Sequence, residues 1–107
     1  MSYCVETVAK ELMLELPDLA EIARLMVDEA RWKISEARQA MAENSGDRYY
    51  ACMHTIKGAA GNLRMKDLTM LAAQAEKVRP ESSPEKEQYL VLIEQELVVI
   101  ESIIDSM

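Results

Sequence analysis

The chain has 107 residues, half of them apolar, and carries 12 basic against 19 acidic side chains for a net charge of −7. That length suits a single domain spanning 1–107 with a core of its own, and that apolar share excludes a disordered chain. The acidic balance argues against nucleic acid, which needs a basic face for its phosphates, and against docking on an anionic membrane surface.

The composition leans to helix, with many Ala, Leu, Met, Glu and Lys, three Gly, three Pro and no Phe. A short first helix is expected over residues 3 to about 15, with Val5, Val8, Leu12 and Leu16 on one face and Pro17 ending it. Pro17 also suits the first turn of the next helix, where no backbone donor is lost. That second helix runs to about Asn44. Ile22, Met26, Ala30, Ala37 and Met41 keep the three-four spacing of a buried stripe, with Ile34 beside it. Trp32 falls off the stripe and is expected at the edge of the core or on the surface. Asn44-Ser45-Gly46-Asp47 reads as a loop, with Asp47 as the cap of a third helix over about 48 to 63. Tyr49, Met53, Ile56, Ala60 and Leu63 form the core stripe of that helix. A break at Arg64-Met65-Lys66 leads to a fourth helix over about 67 to 79, with Leu68, Leu71, Ala72 and Ala75 inward, stopped by Pro80. The Ser82-Ser83-Pro84-Glu85 turn opens a fifth, whose Leu90, Ile93, Leu97, Ile100 and Ile104 face the core. Nothing alternates with period two. The expected fold is all-α: an antiparallel, up-down-up-down four-helix bundle with the short first helix over one end.

The stretch "MHTIKGAAGNL", residues 53 to 63, holds the only histidine and two of the three glycines. Residue 54 is rotated by about 100° from residue 53, so His54, Lys57, Gly58 and Gly61 form a second stripe beside the core stripe. A glycine inside a helix costs about 1 kcal/mol relative to alanine, so two on one face need a reason. Either they let a neighbouring helix pack closely, or they clear space beside His54 for another protein; glycines that face solvent would exclude the first. Residues 48 to 66 also contain Arg48, Lys57, Arg64 and Lys66 and no acid, a basic segment in an acidic chain. Such a segment attracts an anion or the acidic mouth of a partner's site, although charge runs are commonly just solvated surface.

An unperturbed imidazole titrates near pH ~6.5, so an exposed one is largely neutral and nucleophilic at pH 7 and can accept a phosphoryl group. Lys57, one turn on, could neutralise the transferring oxygens. Cys52 and His54 lie about 200° apart on the helix and cannot form a thiolate–imidazole pair. One His with the separated Cys4 and Cys52 makes neither a metal site nor a disulfide framework, and with eight methionines the thiols point to a reducing, cytoplasmic setting. There is no Gly-rich phosphate loop, no run near the ~18 apolar residues a membrane span requires, and no signal-peptide start in Met1-Ser2-Tyr3-Cys4-Val5-Glu6.

"HTIKGAAGNL" resembles the signature of histidine-containing phosphotransfer (HPt) domains: His54, then Lys57 and Gly58, then Ala59, Ala60 and Leu63. Without a gap, Leu68, Leu71 and Glu76 fall where the family pattern has Leu, Leu and an acidic or amide residue. The motif covers about residues 50 to 79; chain length and helix layout extend the resemblance to the whole. It implies a four-helix bundle in which His54 is phosphorylated on Nε2, with Lys57 near the phosphoryl group. It also implies that Gly58 leaves room for a response-regulator receiver domain and that Glu76 orients the ring through Nδ1. Gly61 shares the open stripe with Gly58. Arg64 departs from the pattern, standing where the family usually has a second glycine; it puts the bend's conformation in question and could add a positive contact for the receiver.

The resulting expectation is a phosphorelay intermediate. It would take a phosphoryl group from the receiver aspartate of a hybrid sensor histidine kinase or a regulator and pass it to a response-regulator receiver. It would have no kinase or ATP-binding activity and no cofactor of its own, the receiver supplying Mg²⁺. One alternative is a binding module that docks on a kinase or regulator with His54 never phosphorylated; another is a purely structural helical adaptor. A histidine-kinase dimerisation segment fits poorly, because such segments carry Glu or Asp directly after the histidine and Pro soon after, whereas Thr55 and Ile56 follow here. A buried His54 would count against the carrier.

Overall fold

The computed structural model describes residues 3–78 and 83–107. Its elements are α1 (Val5–Glu11), α2 (Leu16–Ala42), α3 (Gly46–Asn62), α4 (Lys66–Glu76) and α5 (Ser83–Asp105), with no strand among the described residues. Helix α2 packs on α3 and α5, and α4 packs on the same two, so the four longer helices close a ring. Ion pairs from α2 to α5 run in opposite chain directions, Arg24 with Asp105 and Arg38 with Glu87, as an antiparallel bundle requires. Expected helix ends at Pro80 and Ser82 lie outside the described residues.

The stripes expected for α3 and α5 are the core. Tyr49, Met53, Ile56, Ala60 and Leu63 are buried, as are Leu90, Ile93, Leu97, Ile100 and Ile104. In α4, Leu68, Ala72 and Ala75 are buried and Leu71 is half-buried. Helix α2 differs. Its buried residues are Leu19, Ala23, Met26, Val27, Ala30, Ile34, Ala37 and Ala40, while Ile22 is exposed and Met41 half-buried. Four alanines let the neighbouring helices approach along the stripe, and Leu19, Val27 and Ile34 fill the space between them. Trp32 is 68% exposed.

Three helices end alike, on a non-glycine residue in the left-handed region: Met13, Asn44 and Arg64, with φ of 57°, 55° and 60°. Each end carries paired backbone bonds. At the end of α3 the Met65 N–H donates to the Ala60 carbonyl at 2.9 Å and the Arg64 N–H to Gly61 at 3.1 Å. This is the Schellman arrangement, which glycine usually completes because other residues pay about 1–2 kcal/mol for that conformation. Expected over 3 to about 15, α1 is therefore shorter, because the chain reverses at Met13; Leu16 opens α2 instead, with Pro17 in its first turn. Helix α3 begins two residues before the expected start. Its cap is Ser45, not Asp47: the Ser45 hydroxyl accepts from the Arg48 N–H at 3.4 Å, and Asp47 sits inside the first turn.

Helix α1 lies against the α3–α4 bend. The Tyr3 hydroxyl donates to the Leu63 carbonyl at 2.6 Å, satisfying an acceptor that the end of α3 leaves free. Burial pushes the Tyr3 phenol up to about 12, opposed by the nearby Arg64 charge.

Candidate functional site

The bend at Arg64-Met65 folds α4 back along α3, and Met65 lies midway in sequence between His54 and Glu76. An antiparallel hairpin therefore sets those two residues side by side. The His54 Nδ1 is 3.2 Å from Glu76 Oε2, and the Lys57 ammonium donates to Glu76 Oε1 at 2.6 Å. One carboxylate thus serves two donors, each of its oxygens taking one.

Glu76 is held charged. The Lys57 hydrogen bond depresses its carboxyl below the usual range, burial opposes this, and the His54 bond adds to the depression. Its side chain is only 10% exposed. An ionised carboxylate can only accept, so Nδ1 is the protonated nitrogen of a neutral His54 ring and Nε2 carries the lone pair. Among the described residues no hydrogen bond reaches Nε2, and the His54 side chain is 62% exposed. The arrangement is an anchored, open, nucleophilic imidazole.

Gly58 has no atom within 4 Å of where a Cβ would stand, so close helix packing does not require it. Gly61 is half-buried at the α3–α4 seam, where a Cβ would meet the Thr69 side chain at 3.9 Å, an ordinary contact. The open surface beside His54 is therefore at Gly58.

Arg64 stands apart from the cluster. It follows His54 by ten positions, about 15 Å along a helix axis, and its guanidinium reaches the Asn62 carbonyl at 3.2 Å and Glu11 of α1 at 3.5 Å. The local basic charge is also met from elsewhere in the fold. Arg48 pairs with Glu43 at 2.6 Å, Lys57 with Glu76 and Arg64 with Glu11. A linear count of residues 48 to 66 misses these carboxylates because they lie outside that segment, Glu43 at the end of α2, Glu76 in α4 and Glu11 in α1.

Tyr50 escaped sequence reasoning. One turn before His54, it stacks on the imidazole, with ring centroids 5.9 Å apart and planes 13° from parallel. The i, i+4 spacing of Tyr50 and His54 is the signal that sequence offers for this contact. Among the described residues no cluster of His, Cys, Asp or Glu could hold a metal ion, and none of their helices is long and apolar enough to cross a membrane.

The site is thus one anchored histidine presented on a solvent face of a four-helix bundle. The family model of the Hpt domain matches residues 21–103, and the chain belongs to that family. Membership places it in histidine phosphotransfer of two-component signalling, where Hpt domains interact with receiver domains. Neither the curated proteins nor the solved structures gave a match.

Proposed function

We propose that this chain is a phosphorelay carrier in which His54 Nε2 takes a phosphoryl group from the receiver aspartate of a hybrid sensor kinase or regulator and hands it to a second receiver. The observation that carries the reading is the His54–Glu76 contact at 3.2 Å on an exposed ring. It ties down Nδ1 and leaves Nε2 as the reactive edge.

In the transfer, the Nε2 lone pair attacks phosphorus. The bond from phosphorus to the aspartyl oxygen breaks, and the carboxylate leaves with its electron pair. The Nδ1 proton stays on the ring, which becomes a phosphoimidazolium facing the Glu76 carboxylate. Lys57 is shared: its Glu76 contact holds it one turn from Nε2, where it can turn to the incoming phosphoryl oxygens. Gly58, one turn after His54, adds no side chain there, and the space where its Cβ would stand is open. Mg²⁺ and the acidic pocket come with the receiver. The second transfer is the same step reversed.

Incubation with an aspartyl-phosphorylated receiver tests this. Wild type should acquire an acid-labile, alkali-stable phosphoryl group, and His54→Gln should acquire none. A wild type that takes no label from several receivers would leave the non-phosphorylated docking module as the better reading.

A further inference from the structure

The carrier reading uses one edge of the imidazole for chemistry and the other for anchoring. It leaves the face of the ring unused, and that face is occupied. Tyr50 lies one turn before His54 on the same stripe of α3, with its ring nearly parallel to the imidazole at 13° and 5.9 Å between centroids. That separation is within the range of offset aromatic stacking and just inside the reach of a cation–π contact. Tyr50 is also exposed. Burial in the core therefore does not account for where its ring lies.

We propose that Tyr50 is a positioning residue for His54: its ring fixes the plane of the imidazole and favours the cationic phosphoimidazolium over the neutral ring. This rests on the carrier reading. Two restraints at right angles determine the ring. The Glu76 contact is made in the imidazole plane and sets which edge faces α4. Taken alone, it leaves the ring free to rock about the Nδ1–Oε2 line. The Tyr50 stack is made on the ring face and removes that motion, so that Nε2 is presented in one direction.

The second effect follows from charge. The ring is neutral before transfer and carries a positive charge afterwards, because the Nδ1 proton is retained while Nε2 takes phosphorus. An aromatic face attracts a cation more strongly than a neutral ring, so the stack gains strength along the reaction coordinate. A contact stronger in the transition state and product than in the ground state raises the rate and also the phosphorylated fraction at equilibrium. A cation–π contact at an exposed site is worth a factor of about 2 to 5.

Labelling by potassium phosphoramidate tests the claim, since that small donor needs no docking surface; phosphorus passes to Nε2 and ammonia leaves. Tyr50→Phe keeps the ring, whereas Tyr50→Leu keeps apolar bulk without it. Tyr50→Phe should label as wild type does. Tyr50→Leu should label about 2- to 5-fold more slowly and reach a lower phosphorylated fraction. In proton NMR, the ring-current displacement of the His54 ring protons should persist in Tyr50→Phe and vanish in Tyr50→Leu. Equal labelling of wild type and Tyr50→Leu overturns the proposal. So does a loss seen only with a phosphorylated receiver, which assigns Tyr50 to docking. If wild type itself takes no label from either donor, the carrier reading fails, and the NMR displacement alone then decides whether Tyr50 positions the ring.

Discussion

Two seams of the bundle use charge in opposite ways. Along the α2–α5 seam, arginines spaced seven residues apart meet acids on the facing helix: Arg24 with Asp105 at 2.8 Å, Arg31 with Glu101, and Arg38 with both Glu87 and Glu94. Each cation has at least one acid to itself, and the side chains stay in contact with water. Along the α3–α4 seam the ratio is reversed, with one well-covered carboxylate, Glu76, shared by Lys57 and His54. The first pattern ties the two helices together along most of their length. The second holds His54 and Lys57 on one carboxylate and so keeps a cation partly uncommitted. Cations are matched by acids along the first seam and share a single acceptor along the second.

Glu76→Ala should break that contrast most sharply. It removes the Nδ1 anchor and frees Lys57, and charge-assisted hydrogen bonds of this kind are worth about 1.5–3 kcal/mol, or roughly 10- to 100-fold. Transfer from a phosphorylated receiver should slow by that order. The thermal midpoint should move little, because Lys57 can turn to water. A variant that transfers at the wild-type rate would remove Glu76 from the site.

Arg38→Ala should do the reverse. Arg38 donates to Glu87 at 2.7 Å and to Glu94 at 2.8 Å, but all three side chains are more than a third exposed. Solvent screening limits the loss to about 1 kcal/mol, or about 4–8 °C in thermal midpoint for a domain near this size. Phosphotransfer should be unchanged. The pH dependence is signed. Hydrogen bonding to Arg38 holds the Glu94 carboxyl below its usual range. Its contribution is therefore complete above the unfolded value of about 4.3 and disappears as pH falls through the lower folded value. The stability gap between wild type and Arg38→Ala should be widest at neutral pH and close in acid. A gap that does not vary with pH would mean that Arg38 acts through packing of its alkyl chain.

The same contrast explains which parts of the molecule were legible in sequence. The core faces of α3 and α5 were readable because large apolar residues recur at helical spacing, as in Met53, Ile56 and Ala60 or Ile93, Leu97 and Ile100. The core face of α2 was legible at Met26, Ala30, Ile34 and Ala37 and missed at its ends, where the small Ala23 and Ala40 are buried in place of the bulkier Ile22 and Met41. His54, Lys57 and Gly58 were legible from spacing on one helix. Glu76 was reached only through the family resemblance, since nothing local to α4 distinguishes it from an ordinary surface glutamate; its partners come from the other arm of a hairpin. The basic segment was overread for the same reason, its counter-charges Glu43, Glu76 and Glu11 lying outside it. Tyr50 could have been found from spacing, but stacking depends on rotamers that spacing does not determine.

Arg64→Gly should have the smallest effect, and its sign is informative. Arg64 holds φ at 60° and completes the Schellman end of α3 with backbone bonds that glycine would retain. Substitution relieves about 1–2 kcal/mol of left-handed strain. Against this stand about 0.5–1 kcal/mol of added freedom in the unfolded chain and the exposed Glu11 pair, worth about 0–1 kcal/mol. These contributions nearly cancel, so the net change should lie within about 1 kcal/mol of zero. Met13→Gly supplies the control: its φ is 57°, its side chain is 91% exposed, and no ion pair is lost, so it should gain more than Arg64→Gly in thermal denaturation. Because the Arg64 guanidinium turns to α1 rather than to His54, transfer to and from a receiver should proceed at the wild-type rate. A slower Arg64→Gly with an unchanged midpoint would show that the receiver's footprint extends from Gly58 along α3 to the bend. In that case the arginine standing at the family's glycine position would be a docking contact whose backbone strain is tolerated for the sake of its charge.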